Sequence, residues 1–590
     1  MKPQFRRCVV ALGVALGMTL MAAPAIHAET LKKPALDAIA ARAMPGAVSF
    51  PEFLKGVAQQ HPDIAPAVQR YVDGQQQALQ GDDLVNIARL LGLYTRLTQE
   101  ARVLASIEQM VALPTVRDAK IPPHENPSII EFGQLVERMA RDFGLQYRNV
   151  DNRIFEVTLP GSGRDEFGIL THADVVPVVA AEWVIDGRQI DPFKVTRVGD
   201  KLYGRGTIDD KGSIATVLYA MKAVKDSRLP LARGIRLMIE TTEETGGDAM
   251  KYYREKTTLP EHNIVLDSKY PAVVAEKGTG AIKAFFADVQ SADAQQPTMT
   301  AMAGAASSNA IAQTATASIE AGDATALAAV ARKLQAARDG FVDAHQKLGK
   351  FSIDIATGAN KLDIKVTGTS AHGSRPEEGV NPVPRLALFM EQTLLQQAAG
   401  EKALLQRNQY TDAVRYINAV YGLDYFGNAL KLAYADDFMG PLTISPNFIK
   451  ASNGQLEVTA NARMPRGRSP EELKASVEKG IADWSAAAKV PVKIDYTQGN
   501  WMARDPRGAW LATLLNIFGD TTGLDAKPVP TAGSTTAKLM PNAINFGPAM
   551  PGKKYTAHNA LEYKEVPDLQ ADMQMFTEML VRIGNLQQMQ

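Results

Sequence analysis

Apolar side chains recur at helical spacing along the first part of the chain. Between Leu31 and Arg117 they return every three or four positions, which predicts amphipathic helices. No catalytic pattern accompanies them. We therefore predict a helical N-terminal extension over residues 29–100. Its defining apolar positions are Phe53, Val57, Ile64, Val68, Tyr71, Leu84, Ile87, Leu90, Leu91 and Tyr94.

The pattern changes between Phe167 and Ile239, where short apolar strands alternate with helices. Such alternation is typical of an α/β fold built on a mostly parallel sheet. One helix is predicted from Ser213 to Val224, and the same pattern resumes near Trp501. We predict one catalytic domain in two parts, residues 101–283 and 499–590.

The stretch between these two parts has a different composition. Residues from about 284 to 347 are rich in Ala, Ser, Thr and Gln, yet Ala324 to Arg338 is a good helix former with Asp323 placed to cap it. Strand patterns follow further along the chain. We therefore predict an inserted α+β domain over residues 284–498. Its predicted strands are Lys361–Gly368, Gln455–Met464 and Val490–Tyr496.

The composition, with 45% hydrophobic and 22% charged residues, is typical of globular proteins. A length of 590 residues is enough for two or more domains. At the N-terminus, three cations precede an apolar run from Val9 to Ala23, and a small-residue segment ends at Ala28. This is the pattern of a secretory signal peptide. We expect residues 1–28 to be removed, with cleavage after Ala25 as the alternative, and a periplasmic or secreted protein.

Cys8 is the only cysteine of the sequence, and it lies inside the predicted signal peptide. A mature chain without thiols must hold any metal through histidine, aspartate and glutamate. Loss of the three signal cations, from 64 basic and 64 acidic residues, leaves a net charge of about −3. This balance gives no reason to expect a nucleic acid or a membrane as partner. Monomer and homodimer both remain open.

One turn carries two adjacent carboxylates directly before the predicted Ser213–Val224 helix. It runs from Gly204 to Gly212 and contains Asp209 and Asp210. Carboxylates near the positive end of a helix stay ionised. On this stretch alone, an N-capping turn with acidic residues is an equal alternative.

Acidic and histidine residues also follow four predicted strands at their carboxyl ends. Ligands of an open parallel sheet bind at this edge, so these side chains should converge on one crevice. Each of them alone has an ordinary alternative, such as a surface turn, a solvated acidic pair or an exposed imidazole. Their recurrence favours a metal site. The residues are His172, Asp174, Glu243, Glu244, Asp267 and His558.

These motifs together resemble the di-zinc exopeptidase family that includes dipeptidase PepV, carnosinase, aminoacylase and succinyl-diaminopimelate desuccinylase. The similarity runs from about Val103 to the C-terminus and is greatest to the PepV-type dipeptidases. It implies a zinc-peptidase catalytic domain of the phosphorylase/hydrolase-like kind, with a ferredoxin-like, dimerisation-type lid. The segments that carry it are His172 to Asp174, Gly204 to Gly212, Thr241 to Gly247, Val265 to Gly278 and Ser370 to Pro382.

The resemblance implies a role for each residue at the strand ends. Asp209 would bridge two divalent metal ions, most simply Zn²⁺, with Mn²⁺ or Co²⁺ as alternatives. His172 and Asp267 would complete one site, and Glu244 and His558 the other. Two further residues would support them. These are Asp174, accepting the second imidazole N–H of His172, and Glu243, acting as general base.

The resemblance also places substrate contacts in the inserted domain. Asn309, His372 and Arg463 would bind the substrate carboxylate or polarise its carbonyl, and Ser534 would lie in a further substrate loop. One position departs from the family pattern. Members commonly have Asn or Asp immediately before the glutamate of the His-x-x-x-Glu segment, where this chain has Leu561.

The expected function is that of an exported di-metal peptidase, which hydrolyses dipeptides or short peptides by attack of a metal-held hydroxide. An N-acyl-amino-acid amidohydrolase using the same site is the nearest alternative. A catalytically silent binding protein on the same scaffold is the alternative from another class, although Glu243 and all five metal donors are present.

Overall fold

The computed structural model describes residues 30–42, 48–289, 295–396, 403–554 and 556–590. A nine-stranded sheet forms its centre, and the four strands in the middle of that sheet run parallel. This confirms the predicted α/β fold with a mostly parallel central sheet. In spatial order the strands are Gln146–Val150, Ile154–Leu159, Gly234–Glu240, Glu166–His172, His262–Val265, Ala543–Asn545, Val273–Glu276 and Met502–Ala503, with Val529–Thr531 paired to Val273–Glu276.

Burial on both faces explains why the central strands read as continuous apolar runs. In Glu166–His172 every residue after the first is buried, and in Gly234–Glu240 only Arg236 is not fully buried. Parallel strands covered by helices on both faces have this composition. The helices of the whole structure are Lys33–Arg42, Phe50–Gln60, Ala65–Val72, Gly81–Val111, Pro127–Phe143, Lys211–Ser227, Asp248–Lys256, Ala324–His345, Pro382–Met390, Gln409–Val420, Pro470–Ala488, Ala509–Thr522 and Val566–Gly584.

The predicted boundary between extension and catalytic domain, at residues 100 and 101, falls inside one helix. Gly81–Val111 is a continuous helix of 31 residues that packs against Val566–Gly584 and Lys211–Ser227. The N-terminal helices and the catalytic helices share one hydrophobic core. The extension is therefore part of the catalytic unit and not a separate body.

A buried arginine fastens this long helix to the rest of the catalytic unit. The Arg89 guanidinium donates to a Glu578 carboxylate oxygen at 2.9 Å, to the Leu31 carbonyl at 2.6 Å and to Asn516 Oδ1 at 2.8 Å. It also pairs with Asp520. The side chains of Arg89 and Glu578 are 1% and 0% exposed, so this ion pair is fully removed from water.

The inserted region contains an antiparallel sheet of four strands with two helices. In chain order its elements are strand, helix, strand, strand, helix and strand, and the spatial order of the strands is 2-3-1-4. This is the predicted ferredoxin-like arrangement. The strands are Gly278–Ala287, Thr443–Ser452, Gln455–Met464 and Lys493–Gln498, and the helices are Gln409–Val420 and Pro470–Ala488.

Two features of the insert differ from the sequence prediction. Its first strand begins at Gly278, six residues before the predicted boundary, because this strand pairs with Gln455–Met464 along its whole length. A second antiparallel sheet of four strands lies within the insert and was not predicted as a separate layer. Its strands, in spatial order, are Thr298–Ala303, Thr314–Glu320, Lys361–Thr367 and Ser352–Thr357.

The predicted signal peptide and both of its cleavage positions lie outside the described residues. Within the described ranges, no helix combines the length and apolar character needed to cross a lipid bilayer.

Candidate active site

A cavity of about 350 Å³ lies where the carboxyl ends of the central strands meet the insert. Residues from both units line it. His172 and Asp174 lie buried behind its wall. The other residues singled out from the sequence line the cavity, namely Asp209, Glu243, Glu244, Asp267, Asn309, His372, Arg463, Ser534 and His558.

Two groups of metal-donor atoms share Asp209. In one group His172 Nε2 lies 2.8 Å from Asp209 Oδ1 and 3.9 Å from Asp267 Oδ1. In the other, His558 Nε2 lies 3.2 Å from Asp209 Oδ2 and 3.0 Å from the Glu244 carboxylate. Within each group the donor atoms lie within 4.8 Å of one another. The two oxygens of one carboxylate thus face two separate donor sets.

The donor chemistry of these groups fits a pair of divalent cations. Burial and the nearby Asp209 carboxylate raise the pKa of Asp267 to about 7. Two ionised carboxylates this close repel each other, and a bound cation would offset that repulsion. Burial acts to lower the pKa of His172, but the surrounding carboxylates outweigh it and hold that pKa well above 6.5. Imidazole nitrogen and carboxylate oxygen are donors that suit Zn²⁺, Mn²⁺ and Co²⁺.

Glu243 lies beside the donor groups without belonging to either of them. In the described part of the chain its carboxylate makes no hydrogen bond, and it lines the cavity. Burial raises the pKa of Glu243 well above its usual value, and the Asp267 and Glu244 carboxylates raise it further. A carboxyl group with a raised pKa and a free oxygen is suited to take up a proton.

His372 belongs to the insert and lines the cavity, and its hydrogen bonds define which ring nitrogen carries the proton. Its Nδ1 accepts the Ser374 backbone N–H at 3.1 Å and lies 2.7 Å from the Ser374 hydroxyl oxygen. Burial and the neighbouring His558 and Arg463 hold the pKa of His372 well below 6.5. The neutral ring therefore carries its proton on Nε2, where it can donate a hydrogen bond. The ring centre lies 5.0 Å from that of His558.

Comparison with known proteins identifies the family. The model of peptidase family M20/M25/M40 matches residues 168–582, which is most of the chain. The chain belongs to this family. It is therefore a metal-dependent hydrolase of the peptidase class, and the family resemblance inferred from the sequence is confirmed.

Individual relatives of this M20 peptidase are distant in sequence. The β-Ala-Xaa dipeptidase of Lactobacillus delbrueckii subsp. lactis is 25% identical over 488 residues, which are 82% of this chain and 96% of the relative. Human carnosine dipeptidase 1 superposes with a TM-score of 0.53 at 12% identity, covering 85% of this chain and 99% of the other. The yeast dipeptidase Dug1p from Saccharomyces cerevisiae gives 0.52 at 11% identity, with the same coverage. The two solved structures support the fold.

Asp174 supports the M20 site differently from the prediction. His172 Nδ1 lies 2.9 Å from the backbone carbonyl oxygen of Asp174 but 3.6 Å from its carboxylate. The carboxylate instead accepts the backbone N–H groups of Glu243 and Glu244, at 3.1 and 3.0 Å. The prediction was wrong about the acceptor, because the Asp174 carboxylate is engaged by these two N–H groups and the Asp174 carbonyl lies closer to the ring. Asp174 therefore positions the two adjacent glutamates.

Glu562 is a site residue that the sequence analysis missed. One carboxylate oxygen accepts the backbone N–H groups of Gly206, Ile208 and Asp209 at 3.0 to 3.2 Å. The other accepts from the Arg205 guanidinium at 2.7 Å. Glu562 thus holds the turn that presents Asp209. Its position four residues after His558 was the available signal.

The insert and one catalytic loop add polar groups to the cavity. The guanidinium of Arg463 donates to Asn461 Oδ1 at 2.8 Å and to Thr279 Oγ1 at 2.7 Å, which are neutral partners. Asn309 Oδ1 accepts from Asn461 at 3.1 Å, so it lies in the same network. Ser534 accepts a hydrogen bond at 2.7 Å from Lys538, a cavity residue that the sequence analysis also missed.

Proposed function

We propose that this M20 peptidase is an exported di-metal enzyme that hydrolyses dipeptides or short peptides. The observation that carries the proposal is Asp209, whose two oxygens face separate donor sets at the floor of a cavity reached by Glu243, His372 and Arg463. Divalent cations held by these sets, with Zn²⁺ as our proposal, would supply Lewis-acid chemistry that lowers the pKa of water and polarises a carbonyl.

The residues of the chain then have distinct roles in the proposed reaction. Glu243 takes a proton from the attacking water and later passes one to the leaving amine. The Nε2–H of His372 donates a hydrogen bond to the scissile carbonyl oxygen, where negative charge develops. Arg463 binds the terminal carboxylate, since a planar guanidinium can donate two parallel hydrogen bonds. A cavity of about 350 Å³ matches a small ligand better than a long peptide.

A substrate panel tests the proposal against the deacylase alternative. The metal-free protein, prepared by chelation, would be reloaded with zinc, manganese or cobalt and assayed on dipeptides, tripeptides and N-acyl amino acids. We expect dipeptides to be hydrolysed fastest, and chelation to abolish the activity. Support for dipeptides comes from the named activity of the Lactobacillus relative. Cleavage of N-acyl amino acids alone would instead identify an amidohydrolase.

A His372→Ala change should lower kcat and leave the metal content unaltered. His372 belongs to neither donor group, and its Nε2–H would act on charge that develops in the transition state, which makes the loss one of turnover. We expect a loss of at least about 100-fold, the range found for removing one such donor. Steady-state kinetics and metal analysis of the same sample would measure both. Wild-type turnover in this variant would exclude His372 from the reaction.

Export remains a proposal that rests on the N-terminal sequence. We expect the mature protein to begin after Ala28, because the segment before it has the charged, apolar and small-residue regions of a signal peptide. Mass spectrometry of the protein isolated from its natural host would give the first residue. Recovery of the chain with Met1 or Lys2 still present would contradict export.

A further inference from the structure

The charged groups around the active-site cavity divide into two kinds. Every carboxylate that lines it belongs to the proposed metal donors or is Glu243. The remaining charged side chains of the wall are all cations. They are Lys251, Lys269, Arg375, Arg463 and Lys538.

Lys269 differs from the other cations of this wall, because within the described residues no atom lies in hydrogen-bonding or ion-pairing distance of its ammonium. Lys251 pairs with Asp248 at 2.8 Å, and Arg375 pairs with Glu378 at 3.0 Å. The ammonium of the half-buried Lys269 makes neither a hydrogen bond nor an ion pair in the described ranges, and the Glu378 carboxylate that acts on it from a distance is already paired with Arg375. An ammonium group partly withdrawn from water is stabilised by an anion placed beside it.

Lys269 also stands at the boundary with a second cavity. Lys269 and Arg375 line both the active-site cavity and a neighbouring one of about 470 Å³. Other cations of the second cavity are already neutralised. Lys527 pairs with Asp525 at 2.9 Å, and Lys553 pairs with two carboxylates at 2.5 and 2.6 Å. The two cavities therefore share a wall in which the Lys269 ammonium is available to bind an anion. The second cavity provides additional volume on the far side of this wall.

We propose that Lys269, with Arg375 beside it, binds an acidic side chain of the substrate, so that the enzyme prefers dipeptides containing Asp or Glu. The proposal rests on the peptidase function proposed above. In that function Arg463 takes the terminal carboxylate, which leaves a side-chain carboxylate as the second anion. Neither the family match nor the named relatives assign a role to Lys269.

Paired substrates that differ only in charge would test this subsite. The measurement is kcat/KM of the metal-loaded enzyme for Glu-Ala against Gln-Ala, and for Ala-Glu against Ala-Gln. We expect the acidic member of at least one pair to be preferred by about tenfold or more, the range of a hydrogen bond to a charged group. Lys269→Met should bring this ratio close to one. Lys269→Arg, which keeps the charge, should retain the preference.

The ratio of two substrates on one sample does not depend on how much of a variant is folded. Lys251→Met is the matched control, because it removes the same charge from the same cavity at a residue already paired with Asp248. We expect the wild-type ratio in this control. An equal fall in both lysine variants would show a general field effect and overturn the subsite.

The outcomes also separate this proposal from the proposed function. Equal hydrolysis of acidic and amide substrates by the wild-type enzyme would overturn the acidic preference and leave the dipeptidase function standing. Absence of hydrolysis for all four peptides, by an enzyme shown to hold its metals, would overturn both.

Discussion

Replacing Glu243 with glutamine should lower kcat at least about 100-fold while the protein keeps its full metal content. General base catalysis contributes about 10²- to 10⁴-fold, and glutamine keeps the shape of the side chain but cannot take up the proton. Glu243 belongs to neither donor group, so the metals should stay. Plasma-emission analysis for metal and steady-state kinetics on the same preparation would measure both quantities.

The matched variant is Glu244→Gln, one residue further along the same strand end. The Glu244 carboxylate lies 3.0 Å from His558 Nε2 within a donor group, so this change should weaken metal binding first. Excess metal should then restore part of the activity, because Glu243 is still present. Metal loss in Glu243→Gln with retention in Glu244→Gln would reverse the two roles. If both variants kept metal and activity, the pair would be an ordinary acidic turn.

Arg89→Ala should cost about 3–5 kcal/mol in the free energy of unfolding. Removing one partner of a fully buried ion pair leaves the other charge uncompensated, and that penalty is of this size. Here the change leaves Glu578, whose side chain is 0% exposed, with only its 2.6 Å pair to Arg582, and it frees the Asp520 carboxylate, the Leu31 carbonyl and Asn516. Urea denaturation followed by circular dichroism would measure the loss.

The control for Arg89 is Arg507→Ala, which removes an arginine from an exposed pair with Asp505. Exposed ion pairs contribute little to stability, so this variant should unfold close to the wild type. Equal denaturation midpoints for the two variants would show that the buried cluster does not fasten the N-terminal helices to the catalytic unit.

The parts of the fold predicted correctly are those that local periodicity determines. Continuous apolar runs marked the central strands, and the residues at their carboxyl ends are those that the structure brings together around Asp209. The helix from Gly81 to Val111 shows the limit of this reasoning. Its periodicity runs unbroken through the predicted boundary, and periodicity alone does not show which neighbours a helix packs against.

The features of the site and fold that were missed depend on contacts between residues far apart in the chain or on local backbone conformation. Glu562 acts on the Asp209 turn across more than 350 positions of chain. Asp174 was assigned correctly as a neighbour of His172, but the choice between its carbonyl and its carboxylate depends on backbone direction. In the second sheet of the insert Lys361–Thr367 was predicted as a strand, whereas Thr298–Ala303 and Thr314–Glu320 were missed because they lie in a stretch of small residues, where a period of two is weak.

The insert leaves and rejoins the catalytic unit at one point. Its first and last strands, Gly278–Ala287 and Lys493–Gln498, are paired neighbours, and the Gly499 N–H donates to the Thr279 carbonyl at 2.8 Å. The two ends of the insert are therefore adjacent and hydrogen-bonded, as the two strands of a β-hairpin are, so the insert joins the catalytic unit at a single place. The five proposed metal donors lie outside residues 278–498, whereas Asn309, His372 and Arg463 lie inside. This chain is thus modular for these three contacts, and substitutions at them leave the metal donors untouched. A substitution at Lys269 would instead alter substrate preference within the catalytic unit, two residues from the proposed metal donor Asp267.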